Sequence, residues 1–438
     1  MGDDIMGLNI LIINLHSSRN AGDAALTQVT LEQLAQAFPD SQVTLAMDDP
    51  HSHQGMERTI GSLFTWVTRV AADGQPRWRK MGLLWMLPAS LAPVITQRLF
   101  KRPWFGLTPA GWRNLMQAYL QADLVVSKPG GFLYSSGRGV TLLISLYSLA
   151  LALLAGKALY LFPQSIGPFL FGWECRLLRA ILSRARLVMV REPVSAKQLE
   201  QCGLSSQQFK LMPDVAFAFK GAPRTEALAW LQEHGSDPTT GQPLMGMTAI
   251  NWSGQNPRFN TQAQYENACA AAARYFVNEL GGKVVLFPQV TGPLSSQDDR
   301  VPARRIAQQA GCKGDTITVI EEAAAPEMLK AAYGFMDVFI GTRMHSNIFA
   351  LSQCVPVIAI GYQHKTSGIA RMAGIADWVV EIESLDERLM VESIKRLWGQ
   401  RQAVSDRIRE VMPAILQAAG QPGEMTAADY AQWVEEYG

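Results

Sequence analysis

Short β-rich apolar runs that alternate with helical patterns constrain this chain more than any other feature of its sequence. LNILIINL at residues 8–15 is followed by an amphipathic stretch at 25–38, and this alternation recurs over most of the 438 residues. The pattern is typical of parallel sheets built from βαβ units. We interpret as strands residues 8–15, 42–47, 122–127, 159–162, 187–190, 245–250, 284–287, 316–320, 338–340 and 357–360. The sequence therefore predicts an α/β protein with two Rossmann-like doubly wound domains in tandem.

Breaks in the alternation predict the limits of these domains. The first domain spans 1–222 and carries an insertion at 51–117, where the alternation stops. Residues 223–243 contain Gly, Pro and Thr, which is typical of a linker. The second domain spans 244–384, and the pattern of 385–438 predicts C-terminal helices that pack on either domain.

Composition and charge exclude several classes of protein. Hydrophobic residues make up 48% and charged residues 18% of the chain, which is a globular composition. A net charge of +1 gives no global electrostatic footprint for nucleic acid, so no nucleic acid partner is predicted. The five cysteines form no CxxC pair, which favours reduced thiols. The apolar run at 8–15 is too short for the core of a signal peptide, so a cytoplasmic location is expected.

Familiar catalytic motifs are missing from the sequence. There is no GxGxxG after a strand, no GxxxxGK[ST], no HExxH and no GxSxG. The sequence therefore gives no support to a nucleoside phosphate site, a catalytic zinc site or a serine hydrolase, and no metal site is predicted. The acidic pairs Asp298-Asp299 and Glu321-Glu322 lie beside helix starts, and we interpret them as solvated caps.

The densest group of polar residues follows the predicted strand at 338–340. Arg343 and His345 stand at its end, immediately before a predicted helix at 346–353. Because helix N-termini bind anions, this turn favours a phosphate or carboxylate ligand held by a fixed arginine. His345 is a candidate general acid or base, with a structural histidine as the alternative. Lys365 emerges after the next strand and is either a ligand-binding residue or a solvated loop lysine.

Strand ends in the first half of the chain carry a second set of candidates. Asn20 and Asp23 follow the first strand, where doubly wound sheets bind ligands, although Asp23 also suits a helix N-cap. Gly130-Gly131 and Arg191 each follow a later strand. Polar groups converging at several strand ends predict a binding site at that edge of the sheet.

The order of these motifs resembles the polysaccharide pyruvyl transferase family, and within it the colanic-acid biosynthesis branch. The motifs are N-x-G-D from Asn20, the Gly130-Gly131 pair, Q-S-I-G-P, V-R-E, P-D-V, and G-T-R-x-H followed by Y-x-x-K-x-x-G. The resemblance implies two Rossmann-like domains of GT-B-like architecture. It also implies transfer from phosphoenolpyruvate onto a sugar diol, with formation of a cyclic ketal, release of phosphate and no cofactor.

Carried over by motif, the resemblance assigns roles to five residues. Arg191 and Arg343 would bind phosphoenolpyruvate, together with the motif lysine Lys365. His345 would be the catalytic histidine and Asp23 the N-terminal acid. This chemistry suits the residue types, since a proton must reach C3 of the donor and another must leave a sugar hydroxyl. Two alternatives remain, a GT-B glycosyltransferase that uses a nucleotide sugar and a noncatalytic protein of polysaccharide assembly.

The predicted insertion is strongly basic and rich in tryptophan. From Gly74 to Ala122 there are seven Lys or Arg residues, four Trp residues and no Asp or Glu. This mixture suits the interface of an anionic membrane, where a lipid-linked saccharide acceptor would reside. We therefore expect peripheral membrane contact through residues 75–115. The alternative is that the tryptophans pack on the first domain while the basic side chains stay solvated.

Overall fold

The computed structural model describes residues 7–70, 76–135, 140–252, 259–292, 295–361 and 365–437, and it divides into two compact units. Unit 1 consists of Leu26–Val215 with the N-terminal stretch up to Ser18 and the C-terminal stretch from Ala418. Unit 2 consists of Arg19–Ala25 and Ala216–Gln417. The short segment Arg19–Ala25 therefore groups with the later part of the chain.

Unit 1 is built around a parallel sheet. The strands in this part of the chain are β1 (Asn9–Leu15), β2 (Gln42–Met47), β3 (Arg58–Gly61), β4 (Thr68–Val70), β5 (Pro76–Trp78), β6 (Leu124–Ser127), β7 (Gly130–Leu133), β8 (Ala158–Ile166), β9 (Leu187–Val190) and β10 (Lys210–Leu211). The sheet runs in the order β10-β9-β8-β6-β1-β2-β3, with β7 also paired to β8. Only β4 and β5 stand apart among the described strands, as an antiparallel pair.

Helices cover both faces of this sheet. The helices are α1 (Ala21–Ala37), α2 (Leu63–Val67), α3 (Lys80–Phe100), α4 (Ala110–Gln121), α5 (Val140–Leu154), α6 (Gly172–Leu182) and α7 (Pro193–Gln201). Alternate residues of β1 enter opposite cores: Leu11 and Ile13 join one cluster, while Ile10 and Ile12 join the other. A strand buried on both faces reads as a continuous apolar run, which is why LNILIINL was recognisable.

Unit 2 repeats the same architecture. Its strands are β11 (Leu244–Thr248), β12 (Lys283–Leu286), β13 (Ile317–Val319), β14 (Val338–Gly341), β15 (Val357–Gly361) and β16 (Val379–Glu381). Its helices, followed by the last helix of the chain, are α8 (Arg224–Glu233), α9 (Gln262–Asn278), α10 (Arg300–Ala310), α11 (Pro326–Tyr333), α12 (Met344–Ser352), α13 (Lys365–Met372), α14 (Glu387–Ala419) and α15 (Pro422–Tyr437). All described strand pairs of this sheet are parallel, in the order β13-β12-β11-β14-β15-β16. The prediction of two doubly wound α/β sheets is confirmed.

Strand order fixes where each sheet can bind a ligand. In unit 1 the order reverses between β1 and β6, and in unit 2 between β11 and β14. Helices that leave neighbouring strands on opposite faces open a crevice at such a switch point, at the carboxyl ends of the strands. The residues that follow these four strands are therefore the first candidates for function.

The compact units differ from the predicted domain boundaries at the linker and at the C-terminus. Residues 223–243 belong to unit 2 and contain α8, whose Ala227 and Leu231 are fully buried. Gly and Pro around a short helix gave this segment the composition of a linker. The C-terminal helices do not form one group, because α14 lies mostly in unit 2 while α15 packs in unit 1. There the carboxylate of Asp429 accepts hydrogen bonds from Tyr160 and Arg186.

The interpretation of residues 51–117 as a single insertion also needs correction. β3 lies inside this range and pairs in parallel with β2, so it extends the main sheet. The strand was overlooked because RTIG contains a single bulky apolar residue, the buried Ile60. The part of the range that departs from regular alternation begins at α2 and ends at α4.

One expectation about the cysteines is wrong. Cys175 and Cys202 form a disulfide bond in unit 1, with their Cα atoms 4.8 Å apart. Cys269, Cys312 and Cys354 are free, and Cys269 is buried. The bonded pair is separated by 27 residues, a spacing that carries no recognisable motif.

Candidate functional site

The crevice of unit 2 is closed at its base by a network of hydroxyl groups. Thr248 ends β11, and its Oγ1 lies 2.8 Å from Oγ of Ser346 and accepts a hydrogen bond from the backbone N–H of Thr342 at 3.2 Å. Tyr265 extends the network, because its hydroxyl lies 2.9 Å from Oγ1 of Thr342. These contacts join β11 to the turn that carries Arg343. The turn is therefore held rigidly at the switch point.

Arg343 stands at the N-cap position of α12 and is clamped by Asp299. Its Nη2 lies 2.6 Å from Oδ1 of Asp299, and its Nε lies 3.2 Å from both carboxylate oxygens. The arginine side chain is 12% exposed while the aspartate is fully buried. The interpretation of Asp299 as a solvated cap is therefore wrong. A two-pronged contact of this kind fixes the guanidinium plane and leaves part of the side chain open to solvent.

Asp299 also holds the backbone that follows β12. Its Oδ2 accepts hydrogen bonds from the N–H groups of Gln289 and Val290, at 3.2 and 2.9 Å. Burial raises the pKa of Asp299, whereas Arg343 and these N–H groups act to lower it. One buried carboxylate thus connects the arginine of the crevice to residues 289–290.

The segment 289–291 in turn holds the start of α1. The N–H of Ala21 donates to the carbonyl of Gln289 at 2.8 Å, and Asn20 forms an isolated antiparallel bridge with Val290. This pairing explains why Arg19–Ala25 belongs to unit 2. It brings Asn20, Asp23, Arg343 and His345, four of the predicted site residues, into one unit.

Asn20, rather than Asp23, caps the first helix. Oδ1 of Asn20 accepts hydrogen bonds from the N–H groups of Gly22 and Asp23, at 3.0 and 3.3 Å. Asp23 lies inside the first turn of α1 and is partly exposed. The alternative of Asp23 as a mere N-cap is thereby removed, and its proposed role as an acid stays a prediction. Asn20 has a structural task, and substrate binding by it also stays a prediction.

Gly22 makes room for His345. A Cβ atom added at position 22 would lie 2.1 Å from Nδ1 of His345 and 2.4 Å from its Cγ. The imidazole therefore packs directly against the backbone of the first turn of α1. The glycine of the N-x-G-D motif is explained by this close approach. The N-x-G-D motif by itself gives no sign that its glycine lies against His345.

Two helix N-termini meet at this histidine. His345 lies in the first turn of α12, and its neighbour Gly22 lies in the first turn of α1. The N-terminal turn of each helix carries the positive end of the helix dipole, although the first N–H groups of α1 already donate to Asn20 and Gln289. Together with Arg343 the two turns form an environment that suits an anion next to a histidine and a carboxylic acid.

The predicted lysine of the site is described only in part. The backbone of Lys365 begins α13, after β15 and residues 362–364, which lie outside the described residues. The side chain of Lys365 lies outside the description as well. Its role as a substrate-binding residue stays a prediction.

The switch point of unit 1 contains a buried lysine that sequence reasoning missed. Lys128 directly follows β6 and is fully buried, and its backbone N–H donates to the carbonyl of Ile13. Gln164 donates from Nε2 to Oγ of Ser127 at 2.8 Å and to the carbonyl of Lys128 at 2.9 Å. Asn14 reaches the same Ser127 from β1 and has a φ of 62°. The signal available was a lysine placed directly at a strand end.

Gly130 and Gly131, which were expected to follow a strand, themselves belong to a further strand. They begin β7, and Gly130 pairs with Gln164 of β8. Gly130 has a φ of 150°, which side chains rarely adopt, and a Cβ there would lie 3.5 Å from Cε of Lys128. This positive φ explains why position 130 is a glycine. Substrate binding by Gly130 and Gly131 stays a prediction.

Arg191 follows β9 in unit 1 and is almost completely buried. Its Nε donates to Oγ of Ser165 at 2.7 Å, and its Nη1 donates to the carboxylate of Asp214. Oε2 of Glu192 lies 3.5 Å from Nε of Arg191, whose side chain is 1% exposed. These contacts give Arg191 a structural task. Its role in binding phosphoenolpyruvate stays a prediction that requires the ion pair to open.

The described residues provide no site for a metal ion. Within the ranges that the structure covers, no group of three or more His, Cys, Asp or Glu side chains could hold one. The expectation of a reaction without metal or cofactor stays a prediction. Arginine, histidine and aspartate are the chemical groups that the crevice of unit 2 offers.

The fold and the strand-end sites define a GT-B-like α/β protein with two Rossmann-like units. Solved structures share this fold at low identity. The putative UDP-N-acetylglucosamine 2-epimerase of Listeria monocytogenes superposes with a TM-score of 0.59 at 11% identity, covering 99% of this chain and 98% of that one. Sucrose-phosphate synthase of Thermosynechococcus elongatus has a TM-score of 0.59 at 16% identity, covering 97% and 100%.

The chain belongs to the polysaccharide pyruvyl transferase family, whose profile matches residues 20–364. Among curated proteins it is similar to the amylovoran biosynthesis protein AmsJ of Erwinia amylovora, with 26% identity over 263 residues. That match covers 59% of this chain and 62% of the relative. The matched family range includes every predicted site residue from Asn20 to His345, while Lys365 follows it directly.

Proposed function

We propose that this enzyme transfers a pyruvate-derived group from phosphoenolpyruvate onto two hydroxyls of a lipid-linked saccharide acceptor and so forms a cyclic ketal. Membership of the pyruvyl transferase family and similarity to a protein of amylovoran biosynthesis support a pyruvyl transferase that acts on a polysaccharide. The donor, the ketal and the lipid linkage are the proposed refinements.

The observation that carries the proposal is the junction of α1 and α12 in unit 2. There His345 packs on Gly22, Asp23 follows in the same turn, and the clamped Arg343 precedes the histidine. The donor carries a phosphate and a carboxylate, and two helix N-termini with an arginine suit such a dianion. Protonation of this enol phosphate requires an acid next to the bound donor, and His345 stands in that position.

The proposed reaction begins with protonation of the donor. The imidazolium of His345 gives a proton to C3, and the electron pair of the C2–C3 bond forms the new C–H bond. The cation left at C2 is stabilised by its oxygen and then takes up the first sugar hydroxyl, whose proton passes to Asp23. General acid and base catalysis at two such steps contributes about 10²- to 10⁴-fold each.

Loss of phosphate completes the ketal. The C2–O bond breaks with its electron pair on phosphate, where Arg343 and the helix N-termini stabilise the departing charge. The second hydroxyl adds to the renewed cation at C2 and returns a proton to His345, while Asp23 releases its proton to solvent. One donor and one diol thus give one ketal with a methyl group, and one inorganic phosphate.

The experiment incubates the purified full chain with phosphoenolpyruvate and a panel of lipid-linked oligosaccharides. We expect release of inorganic phosphate in equal amount to a product heavier by one pyruvic acid less one water. In D₂O the new methyl group should contain one deuterium, because its third hydrogen comes from an exchangeable acid. A product that retains a C=CH₂ group would refute the ketal.

A matched series replaces phosphoenolpyruvate with UDP- and GDP-sugars. Sugar transfer from these donors, with no use of phosphoenolpyruvate, would favour the glycosyltransferase alternative. Turnover of neither donor with any acceptor of the panel, by a protein that is folded, would favour the noncatalytic role in polysaccharide assembly.

A further inference from the structure

Exposed apolar side chains are concentrated around α3 in unit 1. Among the residues that the structure describes, 22 large hydrophobic side chains are exposed, and ten of them lie between Trp78 and Trp104. Soluble monomers rarely expose a contiguous apolar patch of this kind unless a partner covers it. The rest of the described surface shows such residues singly or in small groups.

α3 is apolar on two opposite faces, and only one of them is packed. Met86, Ala89 and Val94 are buried, and Ser90 between them lies 2.7 Å from the hydroxyl of Tyr147 on α5. Oγ1 of Thr108 donates to the carbonyl of Ala89 at 2.6 Å. These contacts fix the inner face of the helix to unit 1.

The outer face carries Met81, Leu84, Ile95 and Leu99. These positions recur with the helical period on the side opposite Met86, and the first two are each 73% exposed. A solvent-facing helix surface normally carries charged residues here. An apolar outer face on a firmly anchored helix therefore indicates a surface that becomes covered.

Charge around this helix favours one kind of cover. The stretch from Gly74 to Ala122 contains no Asp or Glu, in a chain whose net charge is only +1. Arg98, Lys101 and Arg102 are exposed at the C-terminal end of α3, next to Leu99. Two copies of such a surface would repel each other, whereas an anionic surface would attract it.

We propose that the α3 face, defined by Met81, Leu84, Ile95 and Leu99 with Arg98, Lys101 and Arg102, docks on an anionic lipid bilayer. The helix lies in the plane of the interface, with its apolar side chains among the acyl chains and its basic side chains at the headgroups. Exposed Trp78, Trp85 and Trp104 suit the same depth. The inference is independent of the proposed reaction.

Docking in the plane agrees better with the packing of α3 than insertion across the membrane does. Met81–Phe100 is long and apolar enough to cross a bilayer by length and composition, and it is the candidate span among the described residues. Crossing would, however, strip the inner face from α5 and break the contacts of Ser90 and Ala89. Interfacial docking leaves all of them intact.

The test measures co-sedimentation of the purified full chain with vesicles. We expect binding to phosphatidylcholine vesicles that contain phosphatidylglycerol, weakening as salt rises, and little binding to phosphatidylcholine alone. Because each basic residue near an anionic surface contributes about fivefold in partition, the triple variant Arg98→Glu, Lys101→Glu, Arg102→Glu should lose at least about 100-fold. The variant Leu84→Ser, Ile95→Ser, Leu99→Ser should also lose binding.

Matched controls carry the same changes elsewhere on the surface. Lys197→Glu, Lys210→Glu, Lys220→Glu alters net charge equally, and Leu211→Ser, Leu389→Ser, Leu416→Ser removes exposed leucines. Both should bind anionic vesicles far better than the α3 variants. Failure of the wild type to sediment with anionic vesicles at low salt would overturn the proposal. The proposal would also be overturned if the wild type formed a dimer without lipid and the variant Leu84→Ser, Ile95→Ser, Leu99→Ser did not.

Discussion

Each unit of this protein places an arginine after a parallel strand, β9 in unit 1 and β14 in unit 2, and pairs it with a buried aspartate, but the two pairs differ in their exposure to solvent. Arg191 of unit 1 is 1% exposed, whereas Arg343 of unit 2 is 12% exposed, and both partner aspartates are fully buried. Arg191 is further enclosed by Ser165 and Glu192. Arg343 instead stands at the N-cap of α12, whose first turn contains His345.

The comparison teaches that the same ion pair can serve two purposes. A sealed pair must satisfy its own charges and therefore fixes the surrounding chain. A pair that keeps one side accessible fixes the orientation of an arginine that still meets a ligand. We therefore expect changes in unit 1 to act on stability and changes in unit 2 to act on catalysis.

The largest effect should follow from His345→Ala. We expect pyruvyl transfer to fall by about 10²- to 10⁴-fold, because the proposed acid is removed and none replaces it. Phosphate release from phosphoenolpyruvate measures the loss, and circular dichroism checks the fold. His234→Ala in the same unit is the control and should retain activity. Near-normal turnover by the His345 variant would show that His345 is not the catalytic acid and that the site beside Arg343 is not the active site.

The sealed pair should reveal itself through stability. Arg191→Met leaves Asp214 buried without its cation, which costs about 3–5 kcal/mol. Urea denaturation measures the change in the free energy of unfolding. Arg186→Met, which breaks the more exposed pair with Asp429, should cost only about 1 kcal/mol or less. An Arg191 variant of unchanged stability and lost donor binding would reverse our reading of this residue.

Gly22→Ala tests the packing that positions the histidine. The added Cβ would collide with the imidazole ring of His345, and a displacement of about 1 Å can reduce the rate by about 100-fold. Stability should change little beside this loss in kcat, and the pH profile of kcat should shift with the moved histidine. Gly111→Ala is the matched control, because nothing lies within 4 Å of its new methyl group. Equal activities of the two variants would contradict the positioning role.

Arg343→Lys separates charge from geometry in the accessible pair. A lysine keeps the charge but loses the fork that meets both Asp299 and an anionic ligand, so we expect kcat/KM for phosphoenolpyruvate to fall about 10- to 100-fold. Arg300→Lys alters the neighbouring pair with Asp298 and should leave kcat/KM nearly unchanged. Arg191→Lys should lower stability instead. An equal loss of kcat/KM in Arg191→Lys and Arg343→Lys would contradict the division into a structural arginine in unit 1 and a ligand-binding arginine in unit 2.

Lys330, a buried lysine whose hydrogen bonds within the described part of the chain go to backbone carbonyls, provides the smallest effect. Lys330 donates to the backbone carbonyls of Phe217 and Phe219, and burial lowers its pKa from 10.5 to about 7. Between these values the unfolded chain binds one more proton, so the free energy of unfolding should rise with pH by about 1.4 kcal/mol per unit. Comparing wild type with Lys330→Met at pH 7 and 9 isolates this slope. If the free energy of unfolding changed with pH equally in the two proteins, Lys330 would stay charged in the folded state.

The strands were predictable where burial on both faces leaves a continuous apolar run. The run at 187–190 coincides with β9, and 42–47 coincides with β2. β3 was not predictable, because four residues with one buried Ile60 give no periodic signal. The role of α8 was missed for a related reason, since Gly and Pro near a short helix resemble a linker.

The candidate site was predictable as a set of residue types but not as a set of contacts. Arg343 and His345 follow a strand and open a helix, and local sequence reveals that much. Asp299 looked like a surface cap, because its burial depends on residues 289–290 and 343, which are distant in sequence. The closeness of Gly22 to His345 likewise depends on a pairing between residues 19–21 and 289–291 that no local pattern encodes.

Helix α15 affects when the core of unit 1 can be completed during protein synthesis. α15 supplies Tyr430 to the core cluster that contains Ile10 and Tyr160, and Asp429 binds Tyr160 and Arg186. The core that contains β1 is therefore completed only after all of unit 2 has been synthesised, because unit 2 lies between β1 and α15 in the chain. Until then that face of the sheet is covered only in part, by α1, and a nascent chain stalled before α15 would present the remainder to chaperones or proteases.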